Sequence, residues 1–190
     1  MQLKSLHNFF KNGLIGYYPK EEIDAFFYRI CAKQLKLKRI DITLQSEMIV
    51  AAQTFEYFEM VIERLLNYEP IQYILGSTFF FGSDFIVDKQ VLIPRPETEE
   101  LISWVLEKAD TKQPIKILDV GTGSGCIAIS LAKQLPLAQV YAMDVSLGAL
   151  SIAKQNAKAN GVVVHFIEAS VLEWENQDLF FDVIVSNPPY

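Results

Sequence analysis

From Ile115 to Cys126 the chain reads Ile-Lys-Ile-Leu-Asp-Val-Gly-Thr-Gly-Ser-Gly-Cys, an apolar run that breaks into three alternating glycines before an apolar-periodic segment. The pattern predicts a strand, a tight loop and a helix, the opening unit of an α/β fold with a parallel sheet. Gly121, Gly123 and Gly125 strip the Cβ atoms from one edge of the turn. Backbone N–H groups and the positive end of the following helix can then approach a small bound molecule closely. A purely structural turn is the alternative.

The spacing bears on which molecule that is. A pyrophosphate site usually runs G-x-G-x-x-G, whereas here Asp119 leads into G-x-G-x-G. A carboxylate at that point suits the cationic ammonium of a sulfonium amino acid such as S-adenosylmethionine better than a phosphate.

Beyond the loop, short apolar strands alternate with helices. Strands are expected at 115–120, 138–143, 162–167 and 181–186, helices near 124–134 and 146–160, and a short turn around 171–175. Ser146 is placed to cap the second helix and Gly161 to end it. Ligands of such sheets bind outside the carboxyl ends of the strands, so Gly121–Gly125, Asp144, Glu168–Val171 and Asn187–Tyr190 are expected to converge. Asp144 follows the second strand, nineteen residues after Gly125, where a carboxylate either accepts the hydroxyls of a ribose or caps the next helix. Ser170 and Val171, after the third strand, stand where nucleoside sites place a group against adenine.

The fourth strand runs straight into Asn187-Pro-Pro-Tyr190. Two prolines remove two backbone donors and hold Asn187 extended, leaving carbonyl oxygens exposed and rigidly aimed. The Asn187 side-chain oxygen and the Pro188 carbonyl then suit the two N–H bonds of a planar amino group, with Tyr190 stacked on its plane and Pro189 stiffening the turn. Such positioning serves in-line methyl transfer to nitrogen, and it needs no general base. A rigid loop after a strand is the competing reading. His7 and His165 sit in apolar-periodic segments and are read as structural.

Upstream, residues 3–67 carry helical periodicity: Leu3, Leu6, Phe9 and Phe10, then Ile23, Phe26, Phe27 and Ile30, then Ile49, Ala52, Phe55, Val61, Leu65 and Leu66. Gly13 and Gly16–Pro19 punctuate the first two helices, and Ser46 is a candidate N-cap for the third. The aromatic residues are read as core in preference to a peptide-binding face. Residues 70–96, rich in aromatic and β-branched residues with glycines at 76 and 82, predict a β-hairpin linker. Pro94-Arg-Pro-Glu-Thr-Glu-Glu100 then opens a helix to about Ala109, with Arg95 expected to hold a loop or carboxylate near the ligand.

A net charge of −6 opposes a protein that tracks a long phosphate path. No apolar run reaches the roughly twenty residues of a membrane span, and the N-terminal segment lacks a secretory pattern, so a cytoplasmic place is expected. Two cysteines far apart, Cys31 and Cys126, do not make a zinc site and are read as free thiols.

Taken together, these segments resemble the class I S-adenosylmethionine-dependent methyltransferases, and within them the peptide-chain release factor glutamine N5-methyltransferase family (HemK or PrmC). The resemblance covers the helical domain, Pro70–Gly76, Val91-Leu-Ile-Pro-Arg-Pro-Glu-Thr-Glu99, Asp119–Gly125, Gln155-Asn-Ala157 and Asn187–Tyr190. It implies a Rossmann-like methyltransferase domain over 97–190, a helical substrate-recognition domain over 1–69 and the hairpin linker between them. S-adenosylmethionine is the implied cofactor. Gly121, Thr122, Gly123, Ser124 and Gly125 would cradle its methionine part, Asp144 its ribose, and Ser170 and Val171 its adenine edge. Asn187, Pro188, Pro189 and Tyr190 form the implied catalytic set, with Asn187 also beside the cofactor. The implied substrate is the glutamine of the Gly-Gly-Gln motif in class 1 release factors, met by a monomer without membrane or direct nucleic-acid substrate. Ala169-Ser170 departs from the family's small-residue-Asp pair. The chain also stops where family members continue through further strands, so a truncated domain with an open sheet edge is expected. A nucleic-acid amino-methyltransferase and a non-catalytic binding fragment are the alternatives.

Overall fold

The computed structural model describes residues 1–109, 113–175 and 179–188. They divide into two compact units, Met1–Leu75 and the part from Gly76 onward.

The first unit is helical: α1 (Leu3–Leu14), α2 (Lys20–Gln34), α3 (Arg39–Leu44), α4 (Ala52–Leu66) and α5 (Ile71–Leu75). Every third or fourth residue of α1, α2 and α4 is apolar, and these stripes meet in one core of Leu3, Leu6, Phe10, Ile23, Phe27, Ile30, Phe58, Val61 and Leu65. Phe58 sits edge-on to Phe10, ring centroids 5.6 Å apart, and 5.4 Å from Phe27. The aromatic residues at helical spacing are therefore mostly core.

Two local expectations are corrected here. Ser46 does not cap the last long helix; its carbonyl accepts the Lys4 N–H at 2.9 Å, and α4 begins at Ala52 after an Ala51 N-cap that offers no side-chain bond. The sequence also conceals α3, whose first turn is closed by the Asp41 carboxylate accepting the Lys38 N–H at 2.8 Å. Residues 70–76 do not begin the hairpin. The Pro70 carbonyl accepts from Tyr73 and Ile74, and Ile71, Ile74 and Leu75 bury together at helical spacing. An apolar run this short carries no periodicity that separates strand from helix.

The second unit opens with the hairpin β1 (Ser77–Phe80) and β2 (Ser83–Ile86). Its two-residue tip, Phe81-Gly82, has φ of 43° and 74°, the twist of a turn that favours glycine. The bulky Phe81 is held there by its N–H, which donates to the Glu99 carboxylate at 2.8 Å. Helix α6 (Thr98–Lys108) starts two residues after Pro96, because a turn closed by Thr98 N–H to the Arg95 carbonyl intervenes. Glu99, read from sequence as a helix starter, thus also anchors the hairpin.

Then β3 (Lys116–Val120), α7 (Cys126–Gln134), β4 (Gln139–Asp144), α8 (Leu147–Ala159), β5 (His165–Glu168) and β6 (Val183–Ser186) follow. The sheet is parallel in the order β5-β4-β3-β6, with Asp119 opposite Ala142 on one side and Val185 on the other. Ser146 caps α8 by accepting the Ala149 N–H at 3.2 Å, and Gly161, φ 68°, ends it. The chain winds outward from β3 through β4 to β5 and then returns to the opposite side of β3. That reversal opens a crevice between the carboxyl ends of β3 and β6. On its outer side β6 pairs with no strand among the described residues, and Ile184 is 66% exposed.

Candidate active site

The crevice holds a cavity of about 490 Å³. Gly121, Gly123, Asp144, Ser170, Val171, Asn187 and Pro188 all face it, so three separate carboxyl-end loops and the glycine turn share one space. Gln90, Leu92 and Ser186, to which the sequence assigns no role, also line it. Pro189 and Tyr190 lie outside the described residues.

The glycine loop differs from the expected cradle of free N–H groups. Gly121 and Thr122 both donate to the Met143 carbonyl, at 2.8 and 2.9 Å, and Gly123 donates to the Asp144 carboxylate at 2.9 Å. These donors are engaged by β4 and its end, which removes the nest that a phosphate needs. What the loop presents is glycine backbone without Cβ atoms: a Cβ at Gly121 (φ 72°) or Gly123 (φ 55°) would enter open space. Gly125 is different in kind. Its Cβ would lie 2.9 Å from Ile129 Cδ1 and 3.1 Å from the Ala153 Cβ, so it is glycine for the packing of α7 against α8.

Thr122 and Ser124 are buried behind the loop. The Thr122 hydroxyl donates to Asp119 Oδ2 at 2.6 Å, and Ala128 N–H at the start of α7 donates to the same oxygen at 3.2 Å. Asp119 is fully buried, its Oδ1 has no partner among the described residues, and it does not line the cavity. Burial pushes its carboxyl up to about 6, against the pull of the Thr122 hydroxyl and the Ala128 N–H, with the charge of Asp144 adding to the rise. The carboxylate expected to stand beside a bound ammonium instead shapes the loop from below.

Asp144 serves the loop and the next helix together: Oδ2 accepts from Gly123 and Oδ1 from Ser146, each at 2.9 Å. Each oxygen keeps a second lone pair, and the group faces the cavity. Ser170 Oγ accepts the Leu172 N–H at 3.3 Å and opens the turn at 171–173. That turn leaves Val171 and Leu172 exposed at the rim.

On the β6 side, the Ser186 hydroxyl donates to the Val120 carbonyl at 2.8 Å, tying the ends of β6 and β3. Asn187 Nδ2 donates to Thr98 Oγ1 at 2.9 Å. With the nitrogen so engaged, Oδ1 is the acceptor end of the carboxamide, and Asn187 faces the cavity. Thr98 lies in the quoted Val91–Glu99 segment, but its role escapes the sequence because it stands among acids at a helix start. Its signal was the pair of prolines that fix where that helix begins.

Asn156 stands in the Gln155-Asn-Ala157 segment that carries the resemblance, but the sequence assigns it no role. It is fully buried; Oδ1 accepts the Ile86 N–H at 2.7 Å, and Nδ2 donates to the Ile86 carbonyl at 3.0 Å and the Ser124 carbonyl at 2.9 Å. One polar residue on the otherwise apolar stripe Ile152, Ala153 and Ala157 was the available sign. Arg95 is exposed and holds no carboxylate among the described residues, contrary to expectation. His165 opens β5 stacked on Tyr141, and His7 bonds Asp24 at 2.8 Å in the helical unit. Both cysteines are free and buried. Among the described residues no cluster of side chains suits a metal ion, and no helix is long and apolar enough to cross a membrane.

Comparison with known proteins shows what the chain is similar to. Residues 98–190 match the methyltransferase small domain, and residues 14–76 match the PrmC N-terminal domain. The release factor glutamine methyltransferase of Flavobacterium psychrophilum is 46% identical over all of this chain and 68% of its own length. The protein of that name from Chlorobaculum tepidum is 45% identical over 82% of this chain and 56% of its own. The one from Bacteroides thetaiotaomicron is 42% identical over 96% and 65%. The chain thus spans between about half and two thirds of the length of these relatives.

Proposed function

Because the chain belongs to the release factor glutamine methyltransferase family, we propose that its cavity brings S-adenosylmethionine together with the side-chain amide of a glutamine, in the Gly-Gly-Gln motif of a class 1 release factor, for methyl transfer to the amide nitrogen. The observation that carries this reading is that one cavity is lined both by Gly121, Gly123 and Asp144 and by Asn187 and Pro188.

The residues present fit an adenosyl cofactor. Open space in front of Gly121 and Gly123 admits the methionine part against bare backbone, and Thr122, Ser124 and Gly125 hold the loop in that shape. The spare lone pairs of Asp144 suit a ribose diol. Ser170 offers the base edge a hydroxyl, and the exposed Val171 and Leu172 offer it an apolar wall. When bound, S-adenosylmethionine supplies an electrophilic methyl group on a sulfonium sulfur.

The chain's own residues supply placement. Asn187 Oδ1 and the Pro188 carbonyl accept the two hydrogens of the glutamine –NH2, which fixes the amide plane and therefore the direction in which its nitrogen is nucleophilic. Tyr190, two residues on, takes the role of a stacking partner for that plane. Acceptor oxygens also favour the nitrogen as it gains positive charge, since its N–H bonds become stronger donors. The proton becomes acidic only then and leaves to water, so no histidine is needed; His165 stands at the amino end of β5, away from the carboxyl-end crevice. The helical unit takes the part of recognising the release factor.

The test is incubation with methyl-labelled cofactor and a class 1 release factor, followed by peptide mass mapping. The expected product carries one methyl group on the glutamine of Gly-Gly-Gln. Label on a lysine, or on ribosomal RNA offered in parallel, would overturn the assignment.

A further inference from the structure

The segment Pro94–Glu99 forms no part of the cofactor wall or the acceptor pair, yet one of its residues reaches the acceptor. Thr98 is 6% exposed and is the first residue of α6. Its place is fixed three ways: its N–H donates to the Arg95 carbonyl at 3.0 Å, Glu99 N–H donates to the Pro96 carbonyl at 3.0 Å, and the Glu99 carboxylate holds the hairpin tip. Proline rings on both sides of Arg95 restrict φ there, so the helix start has little freedom to shift. Its hydroxyl meets Asn187 Nδ2 at 2.9 Å.

A carboxamide has a donor end and an acceptor end of almost the same shape, and only its neighbours decide which end faces a ligand. Asn187 precedes Pro188 and follows Ser186, whose hydroxyl ties the backbone to β3, so the main chain is held there, and the bond to Thr98 is what holds the carboxamide. A turned carboxamide would set –NH2 against the –NH2 of the glutamine, donor facing donor.

We infer that Thr98 is a positioning residue for methyl transfer: the bond from Asn187 Nδ2 to its hydroxyl holds the carboxamide in the rotamer and plane that turn Oδ1 toward the acceptor amide. This rests on the proposed role of Asn187. It does not involve the cofactor wall, so cofactor affinity and methyl transfer respond separately.

The test compares Thr98→Val, which keeps the shape and removes the hydroxyl, with Thr98→Ser, which restores it. In Thr98→Val the affinity for S-adenosylhomocysteine stays within about twofold of wild type, while kcat for a Gly-Gly-Gln peptide falls about tenfold or more, the loss of one oriented hydrogen bond. Thr98→Ser recovers most of that rate. Alongside, the Asn187 side-chain –NH2 resonances of the 15N-labelled chain are slow to exchange in wild type and Thr98→Ser and fast in Thr98→Val. Unchanged turnover in Thr98→Val, or equal impairment of both variants, overturns the inference. Should the wild-type chain transfer no methyl group, the functional reading fails by itself. The exchange measurement then decides on Thr98 alone, equal protection in all three proteins counting against it.

Discussion

Asn156 Nδ2 donates to the Ser124 carbonyl at 2.9 Å while the same carboxamide exchanges two bonds with the backbone of Ile86. A single buried side chain therefore fastens the glycine loop to the hairpin, across α8. Replacing it with leucine removes the partner of the part-buried Ile86 N–H and carbonyl and strands the Ser124 carbonyl in a buried place, where an unmade bond costs about 1–3 kcal/mol. Urea denaturation of Asn156→Leu is expected to show a loss of about 3 kcal/mol or more, with weaker S-adenosylhomocysteine binding in whatever remains folded. A loss below about 1 kcal/mol would mean that the loop does not depend on this residue.

The glycines of the loop separate by function. Gly125→Ala places a Cβ 2.9 Å from Ile129 at φ 80°, so overpacking and left-handed strain add, and a destabilisation of about 2–4 kcal/mol is expected by thermal or urea melting. Gly123→Ala meets open space and costs only about 1–2 kcal/mol of backbone strain. Its methyl group enters the cavity instead, so calorimetry should show S-adenosylhomocysteine affinity falling by about tenfold or more, since space for the ligand is lost. Equal binding by Gly123→Ala and wild type would remove the loop from the site.

Asp119 gives the fold a pH dependence of unusual sign. Its carboxyl is raised to about 6 in the folded chain from an ordinary value of 3.8, so the folded state holds this proton more tightly than the unfolded state. Its contribution is most favourable below pH 3.8, declines as pH rises to about 6, and is level above that. A rise from 3.8 to about 6 corresponds to roughly 3 kcal/mol. Asp119→Asn keeps one acceptor for Thr122 and Ala128 and cannot titrate. Urea midpoints should therefore fall for wild type relative to the variant as pH rises from 4 to about 6, and the gap so opened should stay constant from there to pH 8. Parallel curves would refute the buried ionisation.

Burial pushes the Cys31 and Cys126 thiols up to about 12, and the negative charge of Asp119 adds to the rise at Cys126. Neither forms thiolate near neutral pH. Ellman's reagent at pH 8 should label the native chain at the rate of global or local unfolding and label both thiols at once in denaturant. Fast labelling of the native chain at either residue would contradict their closed surroundings.

The sequence made the parallel sheet and its loops legible because glycines, caps and strand-helix alternation are local signals. Asn187 and Gly121 could be expected at one edge from strand order alone. What stayed hidden was carried by partners distant in the chain: Thr98 with Asn187, Asn156 with Ser124, Glu99 with Phe81. A residue at a helix start shows its propensity in sequence, while its hydrogen-bond partner emerges only after folding. The same limit explains the loop N–H groups. Three glycines announce a tight turn, and only the fold reveals that Met143 and Asp144 have already taken its donors. Residues 70–76 were misread for another reason, since β-propensity reports fit to a half-buried surface and a short apolar helix offers the same composition.

The account rests on one adenosyl ligand reaching both the glycine loop and the end of β6. Backbone amide mapping of the 15N-labelled chain during titration with S-adenosylhomocysteine tests this directly. The account predicts that Gly121, Gly123, Asp144, Ser170 and Asn187 shift along one binding curve. Shifts confined to other residues, or a loop that responds while Asn187 does not, would contradict it.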